Sequence, residues 1–448
     1  MKHSVAFVTM GCAKNEVDSE HMALRLERAG YSIEDDPEQA DVVIVNTCSF
    51  IQAATEESIE AILEVADFDS IAAGKAHLIV AGCMPARYGA DLEAELPEAA
   101  AFTPCSGESS IVEVVDEVLG IERATMPPYQ FGASERSKEQ ASQDDVQTCV
   151  PSRRVSAYVK ISDGCDRFCS YCTIPYIRGR YHSFTQEDID KEIARLVGEG
   201  VREIVLIAQD TGRWGDDFEN PSTLAKLVAH VADTWPSVWF RVMYIQPEGV
   251  TDDFVEAIAC HDNVCNYFDI PFQHANARIL KSMHRAGSGA EFLELANRIR
   301  MRIPDATLRT TLIAGYPGET DEDFEELCAF VEECDFDYIG VFAYSREEGT
   351  RADKLEGHVD DDEILARAQQ LRDIADAVCA PRIAERVSRE MDVLVCGCEE
   401  DGELYGRAMC QAPDVDGVTY VDAGLPGDVV RVRIDDTLLY EMEGTVLS

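Results

Sequence analysis

In the segment KISDGCDRFCSYCTIP, Cys165, Cys169 and Cys172 stand in a Cys-x3-Cys-x2-Cys spacing directly after an apolar, strand-like run. Thiolates this close together converge on one centre. A tetrahedral zinc ion would want a fourth protein ligand nearby, whereas an iron–sulfur cube held by three cysteines keeps one iron open for a substrate or cofactor. A second set of three is dispersed: Cys12, Cys48 and Cys83 each follow an apolar run (SVAFVTM, DVVIVN and HLIVAG) within a residue or two of its end. If these runs are parallel strands, their carboxyl ends share one edge, the edge where α/β folds place ligands. Three cysteines at that topological position make a second three-thiol site, or else three buried structural thiols. Gly11 and Gly82, each just before its cysteine, would permit close backbone approach to a ligand.

The elements that must position these residues fall into three textures. Residues 1–120 alternate apolar strands (4–10, 41–46, 77–82) with helical stretches (16–29, closed by Gly30, and 52–66), which predicts βαβ units and a parallel sheet. Residues 121–151, rich in Ser, Gln, Pro and charge, read as a linker. From 152 to 382 the alternation resumes on a larger scale, with strands near 157–162, 203–209, 239–244, 267–271, 308–314 and 338–344. Six βα units predict an incomplete barrel with its site at the carboxyl ends of the strands. Residues 355–390 read as one or two acidic helices, and 384–448 as short β runs forming a small antiparallel barrel or sandwich.

Composition narrows the partners. The 448 residues carry 39 Lys+Arg against 85 Asp+Glu, net −46. Affinity for phosphates comes largely from Lys and Arg displacing counterions, so this balance argues against nucleic acid and anionic membranes and favours a basic protein partner. Solubility or salt adaptation explains the total charge equally well. No apolar run approaches the roughly 18 residues of a membrane helix, and Met1–Gly11 is too short for a signal peptide, so a cytoplasmic location is expected. Sixteen cysteines in a reducing compartment read as metal ligands plus core thiols. Cys105, Cys149, Cys260, Cys265, Cys328, Cys334, Cys379 and Cys410 show no partnered spacing and read as small hydrophobes.

Together these residues resemble the radical S-adenosylmethionine (SAM) methylthiotransferases. The resemblance implies a flavodoxin-like N-terminal domain, a radical SAM (β/α)6 partial TIM barrel and a C-terminal all-β TRAM domain. GCAKNEVDSE, NTCSFI, KISDGCDRFCSYCTIPYIRG, DIPFQHANARILKSMHR and RTTLIAGYPGET are similar to the branch acting on ribosomal protein. The branch acting on tRNA usually has Gln after the first cysteine and PxQSG in place of PFQHA. Ala13 departs from a frequent proline, and YHSF at 181–184 lacks common arginines.

The resemblance implies two 4Fe-4S clusters. The one on Cys165, Cys169 and Cys172 would reductively cleave SAM to a 5′-deoxyadenosyl radical. The one on Cys12, Cys48 and Cys83 would carry sulfur methylated by a second SAM. It implies as substrate the β-carbon of an aspartate in small-subunit ribosomal protein twelve, giving 3-methylthioaspartate, with flavodoxin or ferredoxin as low-potential electron donor. Tyr171 is expected near the adenine; Gln209, Gln273, Arg309 and Glu319 are expected to contact SAM, with Gly315 and Gly318 letting the turn approach it. His274 is either a further contact or a satisfied core histidine. The C-terminal 384–448 holds 15 acidic residues against five arginines, net −10, the wrong sign for gripping RNA.

Overall fold

The computed structural model describes residues 3–123 and 154–447. From residue 124 onward the expected linker lies outside the described residues, as does Cys149. Two compact units are present, and they do not follow chain order. Asp163–His182 and Ser345–Lys354 group with the N-terminal sheet, whereas the barrel strands group with the C-terminal region.

The first unit contains β1 (Ser4–Thr9), α1 (Ala13–Ala29), β2 (Ser32–Ile33), β3 (Val42–Thr47), α2 (Gln52–Ala66), β4 (His77–Gly82), α3 (Cys83–Tyr88), β5 (Ala101–Pro104) and α4 (Ile111–Val118). The sheet is wholly parallel in the order β2-β1-β3-β4-β5, the flavodoxin-like order. β3 is buried along its whole length. Its alternation sends Val43 and Val45 to the layer of Ile62 and Val65, and Val42 and Ile44 to the layer of Met22, Leu26, Ile111 and Val115. A strand covered on both faces needs the unbroken apolar run seen in DVVIVN. α1 begins at Ala13, earlier than the expected residue 16, and ends where Gly30 takes a left-handed cap at φ 99°. Thr9 pairs with Asn46, Asn46 with Ala81, and Gly82 with Pro104, so four adjoining strands end level.

The second unit contains β6 (Ser156–Lys160), β7 (Glu203–Ile207), β8 (Trp239–Val242), β9 (Tyr267–Asp269), β10 (Thr307–Ala314) and β11 (Tyr338–Ala343). They form two parallel triplets, β6-β7-β8 and β9-β10-β11, joined by a parallel bridge from Phe240 to Val264. Strand order equals chain order, as a βα partial barrel requires. Thr185, Thr223, Thr251, Ser288 and Thr320 each cap the following helix by accepting a backbone N–H. The acidic stretch after 355 forms one long helix, Asp361–Ala384.

The tail closes into a five-stranded barrel of β12 (Glu390–Cys398), β13 (Leu404–Ala408), β14 (Thr419–Val421), β15 (Val429–Leu438) and β16 (Glu441–Val446), ordered β12-β13-β14-β16-β15. It is not wholly antiparallel, because β14 and β16 pair in parallel to complete the ring. Its connection 409–416 seats on the amino ends of the larger barrel's strands. Tyr158 Oη donates to Asp414 (2.5 Å), Tyr267 Oη to Asp416 (2.6 Å), and Arg241 Nη1 to the Met409 carbonyl (2.8 Å). No helix among the described residues is long and apolar enough to cross a membrane.

Candidate metal centres

The N-terminal triplet sits where helices begin. Cys12 is the N-cap of α1, Cys83 is the first residue of α3, and Cys48 lies just ahead of α2. Helix N-termini offer free N–H groups and positive dipole ends. Ser58 holds the Cys48 turn, accepting its N–H at 3.0 Å and donating to its carbonyl at 2.9 Å. Asn15 ties strand ends together by donating to the Met10 (3.0 Å) and Thr47 (2.9 Å) carbonyls, and its Oδ1 lies 3.7 Å from Cys83 Sγ. Cys48 and Cys83 are buried and Cys12 is exposed. Burial pushes the Cys48 and Cys83 thiols up, with the Arg178 charge opposing it. Metal coordination reverses that preference, because a ligated thiol gives up its proton.

Gly11 and Gly82 also decide how the strand ends pack. A Cβ on Gly11 would fall 2.4 Å from Cys48 Cβ, and one on Gly82 would fall 2.3 Å from Asn46 Oδ1. The missing side chains therefore make room for the neighbouring strand end.

A fourth cysteine stands at the same edge. Cys105, read from sequence as a small hydrophobe, follows β5 and neighbours Cys83 through the Gly82–Pro104 register. Its Sγ donates to the Ile177 carbonyl at 3.2 Å, and burial raises its pKa to about 11. That contact commits it to the backbone. Cys105→Ala is accordingly expected to retain the full iron complement, whereas Cys83→Ala loses roughly half. Iron analysis of the two reconstituted variants decides which thiol is the ligand, and equal losses would refute the assignment.

The second triplet lies on the loop Asp163–His182 of this same unit. The Cys165 N–H donates to the Gly179 carbonyl (3.1 Å) and the Cys172 N–H to the Cys169 carbonyl (3.0 Å), closing the loop on itself. Cys165 is buried, Cys169 and Cys172 are half-buried, and half-buried Tyr171 stands between the last two. Thr173 Oγ1 donates to the Phe50 carbonyl (3.2 Å), beside the loop that carries Cys48. Arg178 donates to Asn15 Oδ1 (2.6 Å), Asp18 (2.8 Å) and Asp163 (3.3 Å). Burial opposes its charge, but Asp18 and Asp163 outweigh burial and keep it cationic.

Residues 345–354 complete the frame. Glu347 accepts from the Gln52 N–H and from Arg87 Nη2, both at 2.9 Å, while Arg87 Nη1 donates to the Ser49 carbonyl at 2.7 Å. Asn15, Arg87, Arg178 and Glu347 are the positioning groups that sequence reading missed. Asn15 and Arg178 lie inside stretches already singled out (GCAKN, YIRG), but their partners are distant in the chain.

Among the described residues, no three His, Cys, Asp or Glu side chains converge tightly enough to grip a single metal ion.

In the second unit the expected SAM contacts separate. Gln209, just past β7, has both amide atoms buried without a hydrogen-bond partner in the protein. Gln246 Oε1 past β8 and Ser162 Oγ past β6, neither anticipated from sequence, are unpartnered in the same way. Buried polar atoms without partners at carboxyl strand ends fit a polar cofactor. Gln273, at φ 72°, donates to Thr311 Oγ1 at 3.3 Å.

Three of the expected residues already have partners or neighbours within the protein. Arg309 pairs with Asp269 (2.8 Å) and Asp416 (3.5 Å) near the amino ends of the strands, so its guanidinium is already committed. Glu319 accepts from the Gly315 N–H (3.0 Å), His274 (3.2 Å) and Arg367 (2.9 Å), so it organises its own loop. Gly315 makes room for Ile364, whose side chain a Cβ would meet at 2.6 Å. His274, fully buried between Glu319 and the Asn276 N–H, is the satisfied core histidine.

Comparison with known proteins matches this chain to an uncharacterized protein family, UPF0004, over residues 4–103, to the radical SAM superfamily over 159–331, and to the TRAM domain over 387–447. The chain is 39% identical to ribosomal protein uS12 methylthiotransferase RimO of Clostridioides difficile, over 99% of this chain and 98% of that one. It is 40% identical to the protein of the same name in Geobacter sulfurreducens, over 100% and 99%. Among solved structures, the radical SAM methyltransferase TsrM of Kitasatospora setae, with cobalamin and a [4Fe-4S] cluster bound, superposes with TM-score 0.54 at 15% identity. That match covers 77% of this chain and 74% of TsrM. It shows a shared fold.

Proposed function

The chain belongs to the ribosomal protein uS12 methylthiotransferases, a radical SAM family, and from that premise we propose that it methylthiolates an aspartate β-carbon of uS12 to 3-methylthioaspartate. The observation that carries this reading is the full-length identity of about 40% to relatives of that name, with six cysteines in the two triplets gathered into one compact unit.

Cys165, Cys169 and Cys172 would hold one 4Fe-4S cluster and Cys12, Cys48 and Cys83 the other. When bound, these clusters and SAM supply electron transfer, hydrogen abstraction from an unactivated carbon, and the sulfur. The protein's own residues do the holding. Ser58 and Asn15 fix the backbone around Cys48 and Cys83. Gln209, Gln246 and Ser162 would offer unpartnered polar atoms to SAM, Gln273 would add an amide, and Tyr171, between two of the ligand cysteines in the chain, would meet the adenine. Arg309 and Glu319, each already held by charged partners, would order the strands and loop around it. A low-potential flavodoxin or ferredoxin would donate the electrons, in a cytoplasm that keeps the thiols reduced.

Charge favours a basic protein substrate over tRNA. Each of the five arginines in 384–448 already faces a carboxylate: Arg386 with Asp337, Arg389 with Glu385, Arg407 with Glu203, Arg431 with Asp392, and Arg433 with Asp435. An RNA-binding module needs cations free for phosphates. In a deletion strain, mass spectrometry is expected to show uS12 without its methylthio mass increment and tRNA nucleosides unchanged. Loss from tRNA with uS12 intact would reverse the choice of substrate.

A further inference from the structure

We propose that Arg178 sets the separation and orientation of the two cysteine triplets, and thereby the fraction of radical events that end in sulfur transfer. The inference rests on the two-cluster reading above. The guanidinium is 3% exposed and held at three points. Asn15 and Asp18, its partners on α1, are one helical turn apart on the helix that Cys12 caps. Asp163, its partner on the loop, precedes Cys165 by two residues, and Arg178 itself follows Cys172 on the same loop. One planar group therefore spans both ligand sets, although Asp18 and Asn15 lie 160 and 163 residues away in the chain. Asn15 also touches Cys83 Sγ, so an unbroken series of contacts runs from Cys83 through Asn15 and Arg178 to Asp163.

Stability alone is a poor explanation for this arrangement. Taking a guanidinium and two carboxylates out of water is costly, and well-packed apolar residues of similar volume often stabilise as much or more. What apolar residues cannot supply is direction. The fork of an arginine fixes the angle and distance of each partner, whereas lysine keeps the charge without the fork. A second tie runs the same way, since the Ile177 carbonyl beside Arg178 accepts from Cys105 at the end of β5.

The test uses Arg178→Lys, Arg178→Gln and Asp18→Asn in the full chain with clusters reconstituted. Three quantities are read: iron content, the magnetic coupling between the two reduced clusters by electron paramagnetic resonance, and methylthiolated product per 5′-deoxyadenosine released. Iron is expected to match the unaltered protein in all three variants. Both arginine variants are expected to show altered coupling between the clusters. Their product per 5′-deoxyadenosine should fall on the order of 10- to 100-fold, the scale that a misplacement of about 1 Å produces, with Asp18→Asn changing both in the same direction by less. Unchanged coupling and product ratio would overturn the proposal. So would loss of iron from all three variants, which would make Arg178 a folding residue only. If the arginine variants do not fold, Asp18→Asn decides alone, and unaltered coupling there overturns it. Absence of a second cluster from the unaltered protein would instead defeat the two-cluster reading.

Discussion

Replacing Cys165, Cys169 and Cys172 together with alanine is expected to remove roughly half of the iron and to abolish both 5′-deoxyadenosine release and methylthiolation. Replacing Cys12, Cys48 and Cys83 is expected to remove the other half and to abolish methylthiolation while 5′-deoxyadenosine release continues. The asymmetry follows from the proposed division of labour, and its selectivity from the surroundings. The first set lies on a loop closed on itself by the Cys165–Gly179 and Cys172–Cys169 backbone bonds. The second is built into the sheet edge, with Cys48 and Cys83 buried. Neither set depends on the other for its local backbone, so each deletion should be selective. Iron analysis and product chromatography on the two triple variants check this. Unchanged iron in the first variant would refute the ligand assignment, and equal loss of 5′-deoxyadenosine in both would refute the division of labour.

Glu203→Ala is expected to destabilise the second unit by about 3–5 kcal/mol, the usual range for stripping one partner from a buried ion pair. Glu203 is 1% exposed at the start of β7, with Arg241 of β8 at 3.0 Å and Arg407 of β13 at 2.7 Å, and it also accepts from Ser156 at 2.8 Å. Removing it leaves Arg241, which is fully buried, and Arg407 to face each other across a dry junction. Burial alone would raise the Glu203 pKa, but Arg407 and Arg241 outweigh it and hold the carboxyl below its ordinary value. A depressed folded-state pKa contributes stability that is present above the unfolded value and is lost as pH falls through the folded one. Urea unfolding at neutral pH is expected to show a lower midpoint for Glu203→Ala, and the gap to the unaltered protein should narrow in acid. Equal midpoints at neutral pH would show that the junction between the two barrels carries no such energy.

Much of the fold was legible because it is written in near neighbours. Period-2 and period-3.6 patterns depend on which residues adjoin along the chain. SVAFVTM, DVVIVN and HLIVAG therefore declared β1, β3 and β4, and Gly30 declared the end of α1. The closed C-terminal barrel was only half legible, since the parallel pairing of β14 with β16 depends on a register that no local pattern contains. β5 is four residues long, too short to show periodicity, and so Cys105 passed for an ordinary apolar residue.

The SAM contacts show the same boundary more sharply. Gln209, Gln273, Arg309 and Glu319 are alike in sequence, each a polar residue in or just after an apolar run of the barrel. Only the folded chain separates Gln209, whose amide has no partner in the protein, from Arg309, which already pairs with Asp269 and Asp416, and Glu319, which already pairs with Arg367.

By itself the sequence determined the six ligand cysteines as candidates, the parallel edge that gathers three of them, the six-stranded barrel, and a charge balance hostile to phosphate. Those are consequences of residue type, spacing and composition. The tertiary structure alone decided that both triplets share one unit, that Arg178 reaches Asp18 and Asp163, and that the connection 409–416 fills the amino ends of the barrel. The reason is desolvation: a buried charge must find an opposite charge wherever the packed chain presents one, and that meeting point is fixed by long-range register.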